Sequence, residues 1–295
     1  MVSVIIATYK REVPLCNALE SLITQTYKDF EVVIVDDNAN DEWNAKVSAI
    51  VDQFKDKLLI NYIQNAENQG SAKTRNIGIN SSRGEYITFL DDDDLYLPNK
   101  IKNQIDCMVA NGADYSLMNL ALYNEDETLS EIRKRDYLLT NEASNLLLCH
   151  LKYHMTGTDT MMFKTEYLLS FGGFEAIDVG DEFYLMMKAI ENNGKFLYCN
   201  QCDVKAYVHT GEGGLSSGQQ KIEGENKLFE FKKKYFDRLT SKNKRYIKMR
   251  HHAVLAFAYK RNGQKGKFLS EGLKAGFTAP FQCMKLIKNL KGNKI

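Results

Sequence analysis

The sequence predicts an α/β fold in which strands and helices alternate around a largely parallel sheet. Short apolar runs rich in β-branched residues recur through residues 1–100, and such runs are typical of buried parallel strands. Between the first two runs, apolar residues recur at helical spacing after Pro14: Leu15, Ala18, Leu19 and Leu22. Strand–helix–strand units of this kind place helices on both faces of a parallel sheet.

The alternation weakens along the chain and predicts three segments: 1–112, 113–220 and 221–295. In the first segment we expect strands at residues 2–7, 31–35, 58–63 and 85–90. The second is predicted to be a mixed α+β continuation, with strands near 115–119, 160–164 and 195–208 and a helix at 181–193. The third has the composition of a helical C-terminal extension.

Charge is distributed unevenly along the chain. The net charge is +1, yet residues 221–295 hold 20 Lys or Arg against 5 Asp or Glu. Lysine-rich helices often form only a solvated surface. Interleaved Phe, Tyr and Leu also fit an anionic membrane surface, which we expect as a partner. Nucleic acid is not an expected partner, because no recognised recognition motif accompanies the basic residues.

Targeting signals are not visible in the sequence. The N-terminus lacks a basic leader and a small-residue cleavage site, and nowhere do 18 consecutive apolar residues occur. The six cysteines are mostly scattered, which fits a reducing compartment better than a disulfide framework. The expected location is the cytoplasm, with peripheral binding to the inner face of the plasma membrane.

Four adjacent carboxylates, Asp91 to Asp94, follow the predicted strand at 85–90. They repel one another, so this arrangement favours a bound cation. Mg²⁺ or Mn²⁺ takes oxygen ligands and holds one or two carboxylates alongside phosphate oxygens. In open α/β sheets ligands bind beyond the carboxyl ends of strands, where this motif lies. The alternative is a solvated acidic loop before the helix that follows Pro98.

Several motifs resemble glycosyltransferase family 2 in their order and spacing. In chain order they are VSVIIATYKR at 2–11, LESLITQTYKDFE at 19–31, VDD at 35–37, RNIG at 75–78, GEY at 84–86 and the Asp91–Asp94 run with Pro98. The resemblance is dense over residues 1–105 and thinner to about residue 220. It implies a GT-A fold, with a nucleotide-sugar-binding half at 1–112 and an acceptor-binding, catalytic half at 113–220.

The activity implied by the resemblance is inverting transfer of a sugar from a nucleoside diphosphate, UDP above all, to an acceptor hydroxyl. Mn²⁺ or Mg²⁺ is the implied cofactor, and the acceptor is a saccharide or a lipid-linked saccharide of bacterial surface polysaccharide synthesis.

Roles for individual residues follow from the same resemblance. Tyr9 is expected to offer its ring to the uracil base, and Asp37 to accept a hydrogen bond from the base. The implied nucleotide-binding set is Ala7, Thr8, Tyr9, Arg11, Asp36, Asp37, Arg75, Asp91 and Asp92. The implied metal set is Asp93, Asp91 and His209, with Asp93 as the main ligand.

An acidic pair, Asp181 and Glu182, opens the predicted helix at 181–193. Direct displacement needs a base for the acceptor hydroxyl, and the resemblance places the catalytic carboxylate in this pair. The family's usual Glu-Asp order is reversed here, so either residue remains a candidate. The structural alternative is an N-cap followed by a first-turn acid.

Two other functions remain open from the sequence. A nucleotidyltransferase shares this kind of sheet but normally has a glycine-rich loop after the first strand, and residues 7–11 contain no glycine. A non-catalytic nucleotide- or carbohydrate-binding protein could keep the same fold.

Overall fold

The computed structural model describes residues 1–177, 180–208 and 218–292, and only the backbone of 288–292. The described residues form two compact units. The first contains 1–146, 155–177 and 181–208, and the second contains 147–154, 180 and 218–292. Each unit is described separately below.

The first unit contains eleven strands. They are β1 (Val2–Thr8), β2 (Phe30–Asp36), β3 (Ile60–Gln64), β4 (Tyr86–Phe89), β5 (Leu95–Tyr96), β6 (Tyr115–Leu117), β7 (Leu120–Tyr123), β8 (Leu129–Arg133), β9 (Met161–Lys164), β10 (Phe196–Tyr198) and β11 (Val204–Tyr207). Its helices are α1 (Val13–Ile23), α2 (Asp41–Phe54), α3 (Ser71–Ser81), α4 (Lys100–Asn111), the start of α5 (Ala143–Tyr153), α6 (Thr165–Ser170) and α7 (Asp181–Glu191). A 3-10 turn (Thr158–Thr160) precedes β9.

Seven strands form the main sheet, in the order β10-β6-β9-β4-β1-β2-β3. The neighbours β4, β1, β2 and β3 are parallel, as the alternation of strands and helices predicts. Strand β9 is antiparallel to both β4 and β6. The apolar runs in β1 and β2 are almost completely buried, which explains their lack of polar alternation.

A second sheet has four strands, in the order β5-β11-β7-β8. The prediction of one continuous strand over 195–208 is wrong, because β10 pairs with β6 in the main sheet while β11 pairs with β7 and β5. Between β10 and β11 the backbone is not part of a strand. The Asn119 N–H donates to the Gln201 carbonyl at 3.0 Å, and the Leu97 N–H donates to the Asp203 carbonyl at 2.9 Å. Strands β5, β7 and β8 and helices α5 and α6 were not predicted.

The second unit is helical, as predicted for the C-terminal segment. It contains the end of α5 and helices α8 (Gly218–Lys233), α9 (Ser241–Arg261), α10 (Lys265–Thr278) and α11 (Pro280–Gly292). Small residues Ala253, Ala275 and Ala279 pack with Met249 in its core. No described helix has both the length and the apolar character needed to cross a bilayer.

The boundaries predicted at residues 112 and 220 remain predictions about donor and acceptor halves. The main sheet itself continues across residue 112, because β9 pairs directly with β4.

Candidate active site

The predicted site residues meet at the carboxyl edge of the main sheet. Strands β1, β2 and β4 are parallel neighbours, so the residues that follow them lie side by side. The Asp37 N–H donates to the Thr8 carbonyl at 2.9 Å, and the Leu90 N–H donates to the Ile5 carbonyl at 3.0 Å. Ala7 is half-buried near the end of β1.

Asp36 is completely buried and shapes the turn after β2. Its Oδ1 accepts from the backbone and side-chain nitrogens of Asn38 at 3.0 and 2.6 Å, and its Oδ2 accepts from the Tyr62 hydroxyl at 2.7 Å. Asn38 in turn accepts from the Lys10 N–H at 2.7 Å. Through Asn38, Asp36 therefore stabilises the loop after β1. Its place near the nucleotide remains a prediction.

Asp37 holds the loop that leads into α3. Its Oδ1 accepts from Asn65 Nδ2 and from the Gln69 N–H, both at 2.8 Å. Its Oδ2 accepts from the Gly70 N–H at 2.9 Å. Gly70 has a φ of 78°, a left-handed conformation that favours glycine at the start of this helix. The carboxylate that the resemblance assigns to the base thus also fixes one wall of the site.

An outer pair of acids, Asp92 and Asp93, faces the loop after β1. Asp92 Oδ2 accepts from the Thr8 hydroxyl at 2.8 Å and from the Tyr9 N–H at 3.3 Å. Arg11 Nη2 lies 3.1 Å from Asp93 Oδ2, while its Nε lies 3.9 Å from Asp92 Oδ1. Burial and the charge of Asp93 raise the pKa of Asp92 to about 7. Tyr9 leaves 45% of its surface exposed, which suits a ring that stacks on a ligand.

An inner group of acids consists of Asp91, Asp94 and Asp159. One carboxylate oxygen from each lies within 4.8 Å of the others. Asp159 Oδ1 accepts from the Asp91 N–H at 2.5 Å, and Asp94 Oδ1 accepts from the Tyr207 N–H at 3.0 Å. Burial, together with the neighbouring carboxylates, raises the pKa of Asp94 well above its ordinary value and that of Asp159 to about 7. Both shifts are in the direction expected for carboxyl groups that are held close together and away from water.

Arg75 connects the acidic motif to the start of α7. Its Nη2 donates to Asp91 Oδ1 at 2.6 Å and its Nη1 to Asp181 Oδ2 at 2.8 Å. Its side chain is 11% exposed and lies over the ring of Phe174. Burial opposes the guanidinium charge, but Asp91 and Asp181 raise its pKa above the ordinary value. Arg75 is therefore a buried link between two predicted functional elements rather than a surface charge.

The acidic pair at the start of α7 has two different environments. Asp181 is 6% exposed and its Oδ1 accepts from the Glu182 N–H at 2.9 Å, while its Oδ2 receives Arg75. Burial raises the pKa of Asp181 to about 6, although the Arg75 charge acts in the opposite direction. Glu182 is only partly buried. Both carboxylates lie near the positive end of the helix dipole.

Three residues of this region were missed from the sequence. Asp94 was treated only as one of four adjacent acids, and Asp159 stands alone in a threonine-rich stretch. Lys100 is completely buried, and its Nζ donates to the Tyr96 hydroxyl at 2.8 Å and to Thr88 Oγ1. An acidic residue just before an apolar run was the available signal for Asp159. The predicted metal ligand His209 lies outside the described residues.

The candidate ligand atoms at this edge of the sheet suit a hard divalent cation. The described cluster of candidate ligands, Asp91, Asp94 and Asp159, offers carboxylate oxygens, and oxygen ligands are those that Mg²⁺ and Mn²⁺ prefer. The arrangement thus combines candidate cation ligands, an exposed aromatic ring and, through Arg75, a carboxylate pair at the start of α7.

Comparison with known proteins identifies the family of this chain. Residues 3–169 match the family model described as "Glycosyl transferase family 2". An uncharacterized glycosyltransferase of Methanocaldococcus jannaschii is 33% identical over 202 residues, which span 66% of this chain and 67% of that protein. The Escherichia coli enzyme WfaP, a UDP-Glc:alpha-D-GlcNAc-diphosphoundecaprenol beta-1,3-glucosyltransferase, is 28% identical over 233 residues, or 77% of this chain and 85% of the enzyme.

A solved structure shares the fold. It is the mannosyltransferase PcManGT of Pyrobaculum calidifontis in complex with GDP-Man and Mn²⁺, with a TM-score of 0.61 and 17% identity over 99% of this chain and 85% of that chain. The mixed, parallel-rich sheet with a helical C-terminal region is the predicted GT-A fold. From its motifs, fold and relatives, the chain belongs to glycosyltransferase family 2.

Proposed function

We propose that this glycosyltransferase moves a sugar from a UDP-sugar to a hydroxyl of a lipid-linked saccharide, with inversion at the anomeric carbon. The observation that carries the proposal is the Arg75 link, which holds the start of α7 beside the acidic motif. The candidate base and the acids proposed to bind the diphosphate are thereby held in fixed positions relative to each other. The relative WfaP, whose name states a UDP-Glc donor and a diphosphoundecaprenol-linked acceptor, supports the choice of substrates.

The nucleoside is bound by the loop after β1 and the turn after β2. Tyr9 stacks on uracil, and Asp37 accepts from the base while it holds the loop at residues 65–70. Thr8 and Asp92 are already joined by a hydrogen bond and face the ribose. Arg11, which lies against Asp93 in this structure, turns to the diphosphate when the donor binds.

Asp93 and Asp91 are proposed to hold the divalent cation, with His209 as a further ligand. The side chains of Asp93 and Asp91 are 19% and 31% exposed, which leaves room for phosphate and water oxygens around the cation. Asp94 and Asp159 are more deeply buried, and Asp159 accepts from the Asp91 N–H, so these two residues support Asp91. A bound Mn²⁺ or Mg²⁺ would neutralise the charge that develops on the departing diphosphate.

Glu182 is proposed as the base that takes the acceptor proton. Asp181 has one oxygen on Arg75 and the other on the Glu182 N–H, and it is nearly inaccessible. A base must reach the hydroxyl that it deprotonates. Glu182, which is partly exposed on the first turn of the same helix, meets that requirement. We therefore infer a positioning role for Asp181 and proton transfer for Glu182.

The setting that fits such an acceptor is the inner face of a plasma membrane during surface polysaccharide synthesis. The net charge of +15 over residues 221–295 attracts this cytoplasmic protein to anionic lipid. No role in nucleic-acid binding is proposed.

Product analysis with a panel of sugar nucleotides and Mn²⁺ tests the proposal. We expect UDP release that depends on the cation and on a diphosphate-lipid acceptor, and an inverted anomeric proton in the NMR spectrum of fresh product. Pyrophosphate release would instead identify a nucleotidyltransferase, and binding without turnover would identify a non-catalytic protein. Retention of configuration would exclude the single displacement.

A further inference from the structure

Helices α10 and α11 each expose large apolar side chains along one face. On α10 the exposed residues are spaced by four, and on α11 they are spaced by three, so each set lies along one helix face. The row consists of Leu269, Leu273, Phe277, Phe281, Met284 and Ile287. We call these six residues the apolar row. Phe277 and Phe281 are 84% and 80% exposed.

The opposite faces of the same helices are already used for packing. Ala275 and Ala279 are buried against Met249 of α9, and Cys283 and Leu286 pack on the same cluster. The apolar row therefore points away from the core of its unit. Single exposed apolar residues are common, but six on two consecutive helices, with charged residues at the edges, indicate an interaction site.

Positive charge borders the apolar row. Residues 265–292 contain six lysines and one acid, Glu271. Glu271 is 9% exposed. Its Oε2 lies 2.7 Å from His252 Nδ1, and its Oε1 accepts from Lys274 Nζ at 2.6 Å. On a helical projection, Lys265 lies on one side of the α10 residues and Lys274 on the other, and Lys285 lies beside Phe281. The surface around the row is thus basic with almost no exposed acid.

We propose that the apolar row and its bordering lysines are the membrane-binding surface, and that it inserts among the headgroups of an anionic bilayer. This inference rests on the proposed use of a lipid-linked acceptor. A helix that lies in the interface combines an apolar face with Lys or Arg along its edges, as here. The phenylalanines enter the acyl boundary, while the lysine stems extend outward and place their ammonium groups at the phosphates.

Charge complementarity decides between a bilayer and a second copy of the chain. Two copies that met through this surface would bring together two sets of lysines, and Glu271, the one acid of residues 265–292, is already paired, so the contact is unfavourable. An anionic bilayer offers the opposite sign together with an apolar interior. A bilayer therefore satisfies both features of the surface.

Vesicle flotation of the full chain, without donor or acceptor, tests the proposal separately from catalysis. We expect binding to vesicles that contain phosphatidylglycerol and much weaker binding to phosphatidylcholine alone. The double variant Phe277→Ser/Phe281→Ser is expected to lower the vesicle partition coefficient at least about tenfold, because both side chains lose their apolar burial. The matched control is Leu139→Ser/Leu59→Ser, which changes residues that are 84% and 55% exposed in the first unit, and it should bind normally.

A second variant keeps the test independent of any folding defect. Lys265→Glu/Lys285→Glu preserves the apolar row and should weaken binding to anionic vesicles, with the remaining binding less sensitive to salt. The unfolding transition of each variant by circular dichroism verifies the fold. Equal flotation of the phenylalanine variant and the wild type would overturn the proposal. So would a dimer in sedimentation velocity that this variant converts to monomer.

Discussion

The different roles proposed for Asp181 and Glu182 give the most specific prediction. Replacing Glu182 with Gln keeps the size of the side chain and removes the proposed base. A positioned general base contributes about 10²–10⁴ in rate, so we expect kcat to fall by that factor. This loss equals about 3–5 kcal/mol of transition-state stabilisation. The KM for the donor should change by less than about twofold, because Glu182 is assigned to the acceptor.

Asp181→Asn is expected to act on stability instead. The side chains of Arg75 and Asp181 are 11% and 8% exposed, so their ion pair is largely shielded from water. Removing one partner of a buried pair costs about 3–5 kcal/mol when the other charge is left uncompensated. Arg75 keeps Asp91 at 2.6 Å, so we expect a smaller decrease in unfolding free energy, about 1–3 kcal/mol. The kcat should fall less than in Glu182→Gln.

Steady-state UDP release at saturating Mn²⁺ and urea denaturation separate these two effects. Glu166→Gln is the matched control, because Glu166 is also an acid in the first turn of a helix, α6, and lies away from the site. Normal kcat and normal stability are expected for it. The reasoning is refuted if Glu182→Gln retains more than about a tenth of kcat while Asp181→Asn loses it without loss of stability.

Three further predictions concern the metal, the donor and the C-terminal unit. Asp93→Asn should weaken Mn²⁺ binding at least about tenfold by calorimetry, and an unchanged affinity would remove Asp93 from the ligand set. Arg11→Gln should tighten Mn²⁺ binding in the absence of the sugar donor, because Arg11 lies 3.1 Å from Asp93. The same variant should raise the KM for the donor. If neither quantity changes, the proposed role of Arg11 is wrong. Burial lowers the pKa of Lys232 to about 8, so from pH 8 to about 10.5 the unfolded chain holds more protons and unfolding free energy should rise with pH. Lys232→Met should remove that rise and add about 1–3 kcal/mol at pH 7 in urea titrations, whereas the more exposed Lys233→Met should do neither.

The part of the fold that carries the proposed nucleotide site was predictable because its signals are local. The strands β1, β2 and β4 are each marked by a short, mostly apolar run, and the acids that follow β2 and β4 are consecutive in sequence. Parallel pairing then carries those acids to one edge without further information. Helix α7 was also found from its pattern, although it ends at Glu191 rather than near Asn193.

The remaining features depend on contacts between distant residues. The sequence at 195–208 does not separate β10 from β11, and only pairing with β6 or β7 distinguishes the two strands. Asp159 lies 68 residues from Asp91, and nothing next to it in sequence indicates a partner. The ion pair between Arg75 and Asp181 spans 106 residues. Such contacts are set by packing of the whole sheet, which residue spacing does not encode.

The reversed direction of β9 determines how acids can reach this edge of the sheet. A parallel strand supplies the residue after its last position, whereas an antiparallel strand supplies the residue before its first. Asp159 enters in this second way, from the short turn ahead of β9. Substitutions in that turn can therefore change the charge next to the proposed cation ligands while the consecutive aspartates stay the same. Related enzymes could diverge in metal preference at a position that their shared motif does not include.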